Sequence, residues 1–159
     1  MRSRDEEVPA TPAGIPEGCS SLKLRQLSRR VSQQFDAVVS GEAGMKTTQY
    51  SLLSNIVGLG PLRPGHLAAA MEMDASTLTR NLQPLVAQGW VQVRPGEDGR
   101  TRLVEATPAG KDKQASARQA WKRAQLAFNA QVGPDLVVRL HAVIDECLAK
   151  VHEAQSHGG

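Results

Sequence analysis

The segment from Met73 to Gly89 constrains the fold most, because it combines an apolar helical face with a face of hydrogen-bonding side chains. Four apolar residues recur at helical spacing and fall on one side: Leu78, Leu82, Leu85 and Val86. Asp74 is the predicted N-cap and Gly89 the predicted C-cap. The opposite side is polar and carries Ser76, Thr77, Arg80 and Gln83, with Thr79 and Asn81 on its flanks. Such a front suits base edges and phosphates, although an ordinary solvated helix fits equally well.

The residues that follow favour the first interpretation, because they predict a β-hairpin. Residues 90–94 and 101–106 read as strands, and the six residues between them are rich in turn formers. Three arginines lie at or near the tip: Arg94, Arg100 and Arg102. A hairpin directly after a polar-fronted helix is typical of the wing of a DNA-binding domain.

The residues before Met73 predict a second short helix packed against the first. Residues 62–63 are extended, Pro64 is placed as the first helical residue, and an alanine-rich helix runs to Met71. Two short helices joined by a tight turn have the helix-turn-helix outline. Residues 61–106 hold five arginines and five acidic residues, so the segment is formally neutral. A winged helix that binds protein instead of DNA therefore stays open as an alternative.

Four further helices are predicted around this unit, which makes the fold mainly α with a small two-stranded β-wing. They cover residues 20–39, 47–57, 107–131 and 134–152, with Thr47 and Thr107 as N-caps and Pro108 as a first helical residue. The predicted division is a disordered arm (1–18), N-terminal helices for dimerisation and scaffold (19–57), a winged helix-turn-helix (58–106) and C-terminal dimerisation helices (107–155).

The whole chain carries a formal net charge of +3, a mild lean towards polyanions. It holds no Gly-x-Ser-x-Gly, no phosphate loop, no His-Glu-x-x-His and no clustered carboxylates, so we expect no enzyme, and we predict no cofactor and no metal. No apolar run approaches membrane-spanning length and the first residues lack a signal-peptide core, so the expected location is the cytoplasm, with no membrane partner.

Four stretches together resemble the MarR family of winged-helix regulators: residues 74–82, 85–91, 98–100 and 103–110. The resemblance covers about residues 20–151. It implies a homodimer built from the first and last two helices, with the helix from Ala75 in the major groove of double-stranded DNA. It also implies that Arg100 enters the adjacent minor groove, oriented by Asp98, and that a small aromatic acid or phenol releases a repressor from a pseudo-palindromic operator. Glu72 departs from the family, which usually has glycine there, so we expect a strained or differently shaped turn.

The predicted DNA-binding residues are Ser76, Thr77, Thr79, Arg80, Asn81, Arg94, Asp98, Arg100 and Arg102. Arg80 is the best candidate for a base contact, because a guanidinium bonds guanine bidentately. The hydroxyls at 76, 77 and 79 are better suited to phosphates at a helix N-terminus. Pro84 removes a backbone hydrogen bond and is expected to bend the helix, which confines base contacts to residues 76–81.

Two kinds of effector site are considered. The residues predicted to line a ligand site are Arg25, Arg29, Tyr50, His66 and Trp121. The alternatives are that Trp121 anchors the core, that Tyr50 packs between helices and that the arginines are solvated. A redox switch is the other hypothesis: Cys19 lies at the predicted start of the first helix, where the dipole favours a thiolate, and Cys147 lies near the end of the last. The alternative for Cys147 is a buried small hydrophobe.

Overall fold

A computed structural model describes residues 18–156. Within them the chain forms six helices and one two-stranded antiparallel sheet: α1 (Ser20–Ala43), α2 (Thr47–Leu59), α3 (Pro64–Ala70), α4 (Ala75–Ala87), β1 (Val91–Pro95), β2 (Arg102–Ala106), α5 (Pro108–Val132) and α6 (Pro134–Ser156). The predicted mainly α fold with a small β-wing is confirmed. The predicted N-terminal arm, residues 1–18, lies outside the described residues except for Gly18. None of the helices in this part of the chain is long and apolar enough to cross a membrane.

Local capping explains where α4 and α5 begin. The Asp74 carboxylate accepts a hydrogen bond of 2.8 Å from the Thr77 amide, and the Thr107 hydroxyl accepts one of 3.0 Å from the Gly110 amide. Both predicted N-caps are therefore confirmed. Thr47 is instead the first residue of α2, with Lys46 as its N-cap. The Thr47 amide donates to Asp36 Oδ1 at 2.7 Å. A carboxylate of α1 therefore accepts a hydrogen bond from a free amide in the first turn of α2, the role predicted for the threonine hydroxyl.

The first helix is longer than the sequence predicts. It continues past Val39 through Gly41 to the buried Ala43, and Gly44 ends it with φ +61° while donating to Ser40 O at 3.0 Å. Burial of Ala43 and Val39 in the same core explains the extension, because packing stabilises helical turns that propensity alone does not.

The buried side chains form two clusters. The larger lies under the helix-turn-helix and includes Leu53, Ile56, Leu67, Leu78, Leu85, Val91 and Val104. The smaller joins α1, α5 and α6 around Phe35 and Phe128, whose rings meet edge to face at 6.1 Å. Helix α5 contributes to both, with Ala117 in the first cluster and Ala124 in the second. One long helix thus connects the winged unit to the terminal helices.

The sheet register decides which way the wing side chains face. Val93 pairs with Val104 and Pro95 with Arg102, so Arg94 and Arg102 lie on opposite faces of the hairpin. Leu62 forms an isolated antiparallel bridge with Val104 of β2 through two backbone hydrogen bonds, of 2.9 and 3.1 Å. The extended piece predicted before Pro64 is therefore confirmed.

The turn between α3 and α4 is strained at Glu72. Its φ of +50° is the one positive value at a non-glycine residue within residues 18–156. The left-handed region costs an L-residue roughly 1–2 kcal/mol, and glycine adopts it freely. We expect Glu72→Gly to raise the free energy of unfolding, measured by chemical denaturation, by up to about 1 kcal/mol. The gain is smaller than the full cost of the left-handed conformation, because glycine also increases the conformational entropy of the unfolded chain. Glu72→Ala keeps the Cβ atom and is the control, so an equal gain from alanine would contradict strain as the cause.

Candidate nucleic-acid interface

Helix α4 buries one face and exposes the other as predicted. Leu78, Leu82 and Leu85 are buried in the larger cluster. Ser76, Arg80 and Gln83 are exposed on the opposite side. The helix continues without interruption through Pro84. Val86 was predicted on the apolar face, but its side chain is 41% exposed because it lies at the edge of the groove beside the wing.

Asp74 organises the N-terminal end of this helix. Besides the Thr77 amide, its carboxylate accepts from the Ser76 hydroxyl at 2.5 Å and from the Thr77 hydroxyl at 2.7 Å. The hydrogen bond from Ser76, followed by those from Thr77, holds the pKa of Asp74 far below its ordinary value. The carboxylate therefore stays ionised at neutral pH, and both hydroxyls are fixed against it.

Removing this carboxylate is expected to have a pH-dependent effect on stability. The pKa of Asp74 is lower in the folded than in the unfolded chain. The contribution of the Asp74 carboxylate to the stability of the fold is therefore fully present above the pKa of the unfolded chain, near pH 4. It is lost as pH falls through the lower pKa of the folded chain. We expect Asp74→Ala to lower the Tm at neutral pH, by an amount that shrinks progressively below about pH 4. Thermal unfolding between pH 2 and 7, with the exposed Glu97→Ala as control, measures this, and a pH-independent difference would contradict it.

The other predicted contacts of α4 lie on different sides of the helix. Arg80 is exposed, and its Nη2 donates to the Thr77 hydroxyl at 3.3 Å. The Thr79 hydroxyl donates to Ala75 O at 2.8 Å. Asn81 is half-buried on the flank towards α2, where its amide lies 3.7 Å from Met73 Sδ. The exposed front of the helix is therefore formed by Ser76, Arg80 and Gln83, whereas Asn81 lies half-buried on the flank.

The wing tip is held by Asp98. Its carboxylate accepts from the Arg100 amide at 3.1 Å, from the Thr101 amide at 2.7 Å and from the Thr101 hydroxyl. The bonds from Thr101 are the main cause that lowers the pKa of Asp98. Asp98 bonds the main chain of Arg100, whereas the Arg100 guanidinium has no hydrogen bond or ion pair within the described residues, so the expected orientation of the wing arginine by Asp98 stays a prediction. The side chain is exposed at the tip.

The three wing arginines have different surroundings. Arg94 Nε donates to Glu105 Oε1 at 2.8 Å, and this bond is the main cause that lowers the pKa of Glu105. Arg102 lies on the opposite face of the hairpin, beside α4. Only Arg100 projects from the tip. Arg80, Arg100 and Arg102 are exposed, and Arg102 lies beside α4, whereas Arg94 is already paired.

An apolar groove of about 610 Å³ separates α4 from the wing. Its walls are Pro64, Thr79, Leu82, Gln83, Val86, Ala87, Val93, Arg102 and Val104. Arg102 is the one charged side chain among them. A flat apolar molecule with a negative charge is chemically suited to such a site.

Of the five residues predicted to line a ligand site, the structure brings two, Tyr50 and Trp121, into contact. Tyr50 and Trp121 stack on each other with ring centroids 6.0 Å apart, and Tyr50 is buried in the core. His66 is exposed on α3. Arg25 bonds Ser21 within α1, and Arg29 borders a shallow surface depression formed by α1 alone. The packing alternatives thus describe Tyr50 and Trp121 better than a shared ligand site does.

Both cysteines are exposed free thiols. Cys19 is the N-cap of α1, where the sequence placed the helix start. Cys147 is exposed on α6 of the single chain, so burial of its side chain, the alternative, would require a second copy of the chain. Residues 18–156 contain no group of three His, Cys, Asp or Glu side chains arranged to hold a metal ion.

Sequence reasoning missed two residues that fix the interface to the rest of the molecule. Lys113 of α5 donates to Ala43 O at 2.5 Å and lies 5.0 Å from the centre of the Trp90 ring, at the junction of α4 and β1. Gly110 packs directly beneath the Trp90 backbone. In the sequence, the Thr107-Pro-Ala-Gly110 motif draws attention to Gly110, but it does not indicate which residue the glycine contacts.

Comparison with known proteins points to one family. A MarR family model matches residues 43–101. The chain is 29% identical over 89 residues to YwoH of Bacillus subtilis, an uncharacterized HTH-type transcriptional regulator, covering 56% of this chain and 61% of that protein. The chain thus spans less than two thirds of that relative. It is 26% identical over 134 residues to the multiple antibiotic resistance protein MarR of Salmonella typhimurium, covering 82% of the chain and 91% of that protein.

The fold gives the same result. The structure matches that of the transcriptional regulator MosR of M. tuberculosis, solved in complex with DNA, with a TM-score of 0.69 and 28% identity. The match covers 83% of this chain and 98% of that one.

Proposed function

Because the chain belongs to the MarR family of winged helix-turn-helix transcriptional regulators, we propose that it is a homodimeric repressor that binds a pseudo-palindromic DNA operator. The family consists of regulators and not of enzymes. The observation that carries the proposal is the joint exposure of Arg80 on the front of α4 and Arg100 at the wing tip. Helix α4 enters the major groove, where Arg80 contacts guanine, and Arg100 enters the adjacent minor groove.

The proposed domain division is the one expected from the sequence, and the larger cluster of buried side chains crosses it, since Ile56 of α2 and Ala117 of α5 pack with the winged unit. Residues 58–106 bind DNA, and residues 19–57 and 107–155 supply the scaffold and the dimer interface. Two α4 helices in a dimer then lie about 34–36 Å apart, one turn of the duplex. The two-fold symmetry of the dimer requires a pseudo-palindromic operator, and this spacing sets the distance between its half-sites.

Exposed apolar side chains on the terminal helices support the dimer. Val137 is the one buried residue among those described in α6, whereas large hydrophobic side chains are exposed on this helix and on α1: Leu22, Leu24, Leu27, Leu136, Val138, Val143, Leu148 and Val151. Exposed apolar side chains in this number are typical of a protein interface. The α1 and α6 surfaces adjoin, since Leu24, Leu27 and Ile144 line one cavity.

We expect Val143→Asp with Leu148→Asp to convert the dimer into a monomer, because buried carboxylates at an apolar interface lose their hydration. Multi-angle light scattering measures the mass, and circular dichroism verifies the helix content. The control is Leu59→Asp, whose side chain is 53% exposed at the end of α2 and does not line the cavity between α1 and α6. A wild-type protein that is monomeric at micromolar concentration would contradict the dimer.

A small anionic aromatic ligand is proposed to release the protein from DNA. The groove between α4 and the wing supports this, because its apolar walls surround a single charged side chain, Arg102. A ligand there contacts Thr79 as well and lies beside the DNA-facing side of α4. Arg102→Ala is expected to abolish release by an aromatic acid while leaving the duplex complex measurable.

The test of the proposed function is a duplex titration with the promoter region adjoining the protein's own gene. Fluorescence anisotropy is expected to show binding that weakens steeply as salt rises, because phosphate contacts release counterions. Equal affinity for a scrambled duplex, or no duplex binding at all, would overturn the proposal. The second outcome would favour the protein-binding winged helix.

A redox-sensing regulator is the second candidate, supported by the exposure of both thiols. Oxidation of Cys19, with or without a disulfide to Cys147 within or across subunits, would then alter the dimer. The duplex titration is repeated with diamide. If diamide releases the protein from the duplex and Cys19→Ser abolishes that release, this candidate is supported. If only an aromatic acid releases the protein, this candidate is rejected.

A further inference from the structure

We propose that Ser76, at the N-terminal end of α4, accepts a hydrogen bond from the exocyclic amino group of a cytosine or an adenine, instead of donating to a phosphate. The inference rests on the proposed function, because it requires α4 to face the major groove. It replaces the expectation that the hydroxyls of this helix bind phosphates. The reason lies in how each hydroxyl proton is already used.

All three hydroxyls of the first two turns are committed donors. Ser76 Oγ lies 2.5 Å from Asp74 Oδ1, and Thr77 Oγ1 lies 2.7 Å from Asp74 Oδ2. An ionised carboxylate has no proton and only accepts, so the hydrogen atoms must come from the serine and the threonine. Thr79 donates to Ala75 O at 2.8 Å in the same way, since a carbonyl only accepts.

A hydroxyl has one proton, and a phosphate oxygen offers none in return. None of the three can therefore bond a phosphate without first releasing Asp74 or Ala75 O. Their oxygens nevertheless keep acceptor lone pairs. Thr77 Oγ1 already accepts from Arg80 Nη2 at 3.3 Å, and Thr79 borders the groove beside the wing. Ser76 remains as the exposed acceptor, one turn before Arg80 on the same face of α4.

The donors that the major groove offers to such an acceptor are few. Cytosine presents N4–H and adenine N6–H, whereas guanine and thymine present oxygen acceptors at the corresponding positions. The negative charge of Asp74 next to Ser76 disfavours those oxygens further. The base opposite Ser76 is therefore cytosine or adenine, and this preference complements the guanine contact of Arg80.

The experiment starts from duplexes that the wild-type protein selects from a random library. At each selected cytosine or adenine, a des-amino analogue that lacks only the exocyclic amine is introduced in turn. At one position of each half-site we expect the wild type to lose about fivefold in affinity, the effect of a single base contact. Ser76→Ala is expected to bind the natural and the des-amino duplex equally at that position.

Two further variants make the interpretation specific. Ser32→Ala removes a hydroxyl from the exposed side of α1 and should behave as wild type. Asp74→Asn keeps an N-cap residue but can donate to the Ser76 hydroxyl, so it should lose the preference for the amine. If Ser76→Ala weakens both duplexes equally at every position, the inference is overturned while the proposed function stands. If the wild type selects no duplex, both are overturned.

Discussion

Replacing Gly110 with alanine is expected to lower the free energy of unfolding by about 3 kcal/mol or more. A Cβ atom at this position would lie 1.9 Å from the carbonyl oxygen of Trp90 and 2.8 Å from its carbonyl carbon. Both are backbone atoms, so no side-chain rotation relieves the overlap. The first turn of α5 or the junction of α4 and β1 must move.

The junction has little freedom to move, because three contacts fix it. Thr107 donates its backbone amide to Trp90 O at 3.0 Å and its hydroxyl to Gly89 O at 2.6 Å. Lys113 covers the Trp90 ring. Chemical denaturation and Tm measurements of Gly110→Ala measure the loss of stability. The control is Gly41→Ala in α1, where the added Cβ meets no atom within 4 Å and alanine favours the helix. Equal stability of wild type and Gly110→Ala would contradict this packing.

Arg80→Ala and Arg100→Ala are expected to weaken DNA binding in different ways. Arg100 is exposed at the wing tip, and its loss should lower affinity about tenfold on every duplex and reduce the salt slope by about one. Arg80 is proposed to bond guanine, so its loss should cost about tenfold or more on the operator and much less on a scrambled duplex.

Anisotropy titrations of both variants on matched and scrambled duplexes, at several salt concentrations, separate the two roles. Arg30→Ala removes the same charge from the exposed surface of α1 and is the control for net charge. An equal loss on both duplexes for Arg80→Ala would reject the base contact. An unchanged salt slope for Arg100→Ala would reject the minor-groove contact.

Features that depend on near neighbours in the chain could be predicted from the sequence. The caps at Asp74 and Thr107 need only the amide three residues later, and both are present. The burial of Leu78, Leu82 and Leu85 follows from helical spacing alone. The wing is found as well, because turn-forming residues lie between two short strands.

Features that depend on where distant elements meet could not be predicted. Tyr50 and Trp121 look like ligand-binding aromatics in the sequence, but their stacking depends on how α2 packs against α5. The contact of Gly110 with Trp90 depends on how the hairpin returns the chain to α4. The hydrogen bond from the Ser76 hydroxyl to Asp74 could not be predicted either, because it depends on the orientation of the two side chains.

The continuity of α5 has a mechanical consequence for the distance between the two α4 helices of the proposed dimer. Its 25 residues make a rod about 37 Å long, anchored at one end by Phe128 among the terminal helices and at the other by Gly110 beneath the winged unit. A tilt of about 5° about the far end displaces the first turn by about 3 Å, close to the rise of one base pair. If the protein binds DNA as the proposed dimer, small changes at the dimer interface would be amplified in this way into a mismatch between the spacing of the two α4 helices and that of the operator.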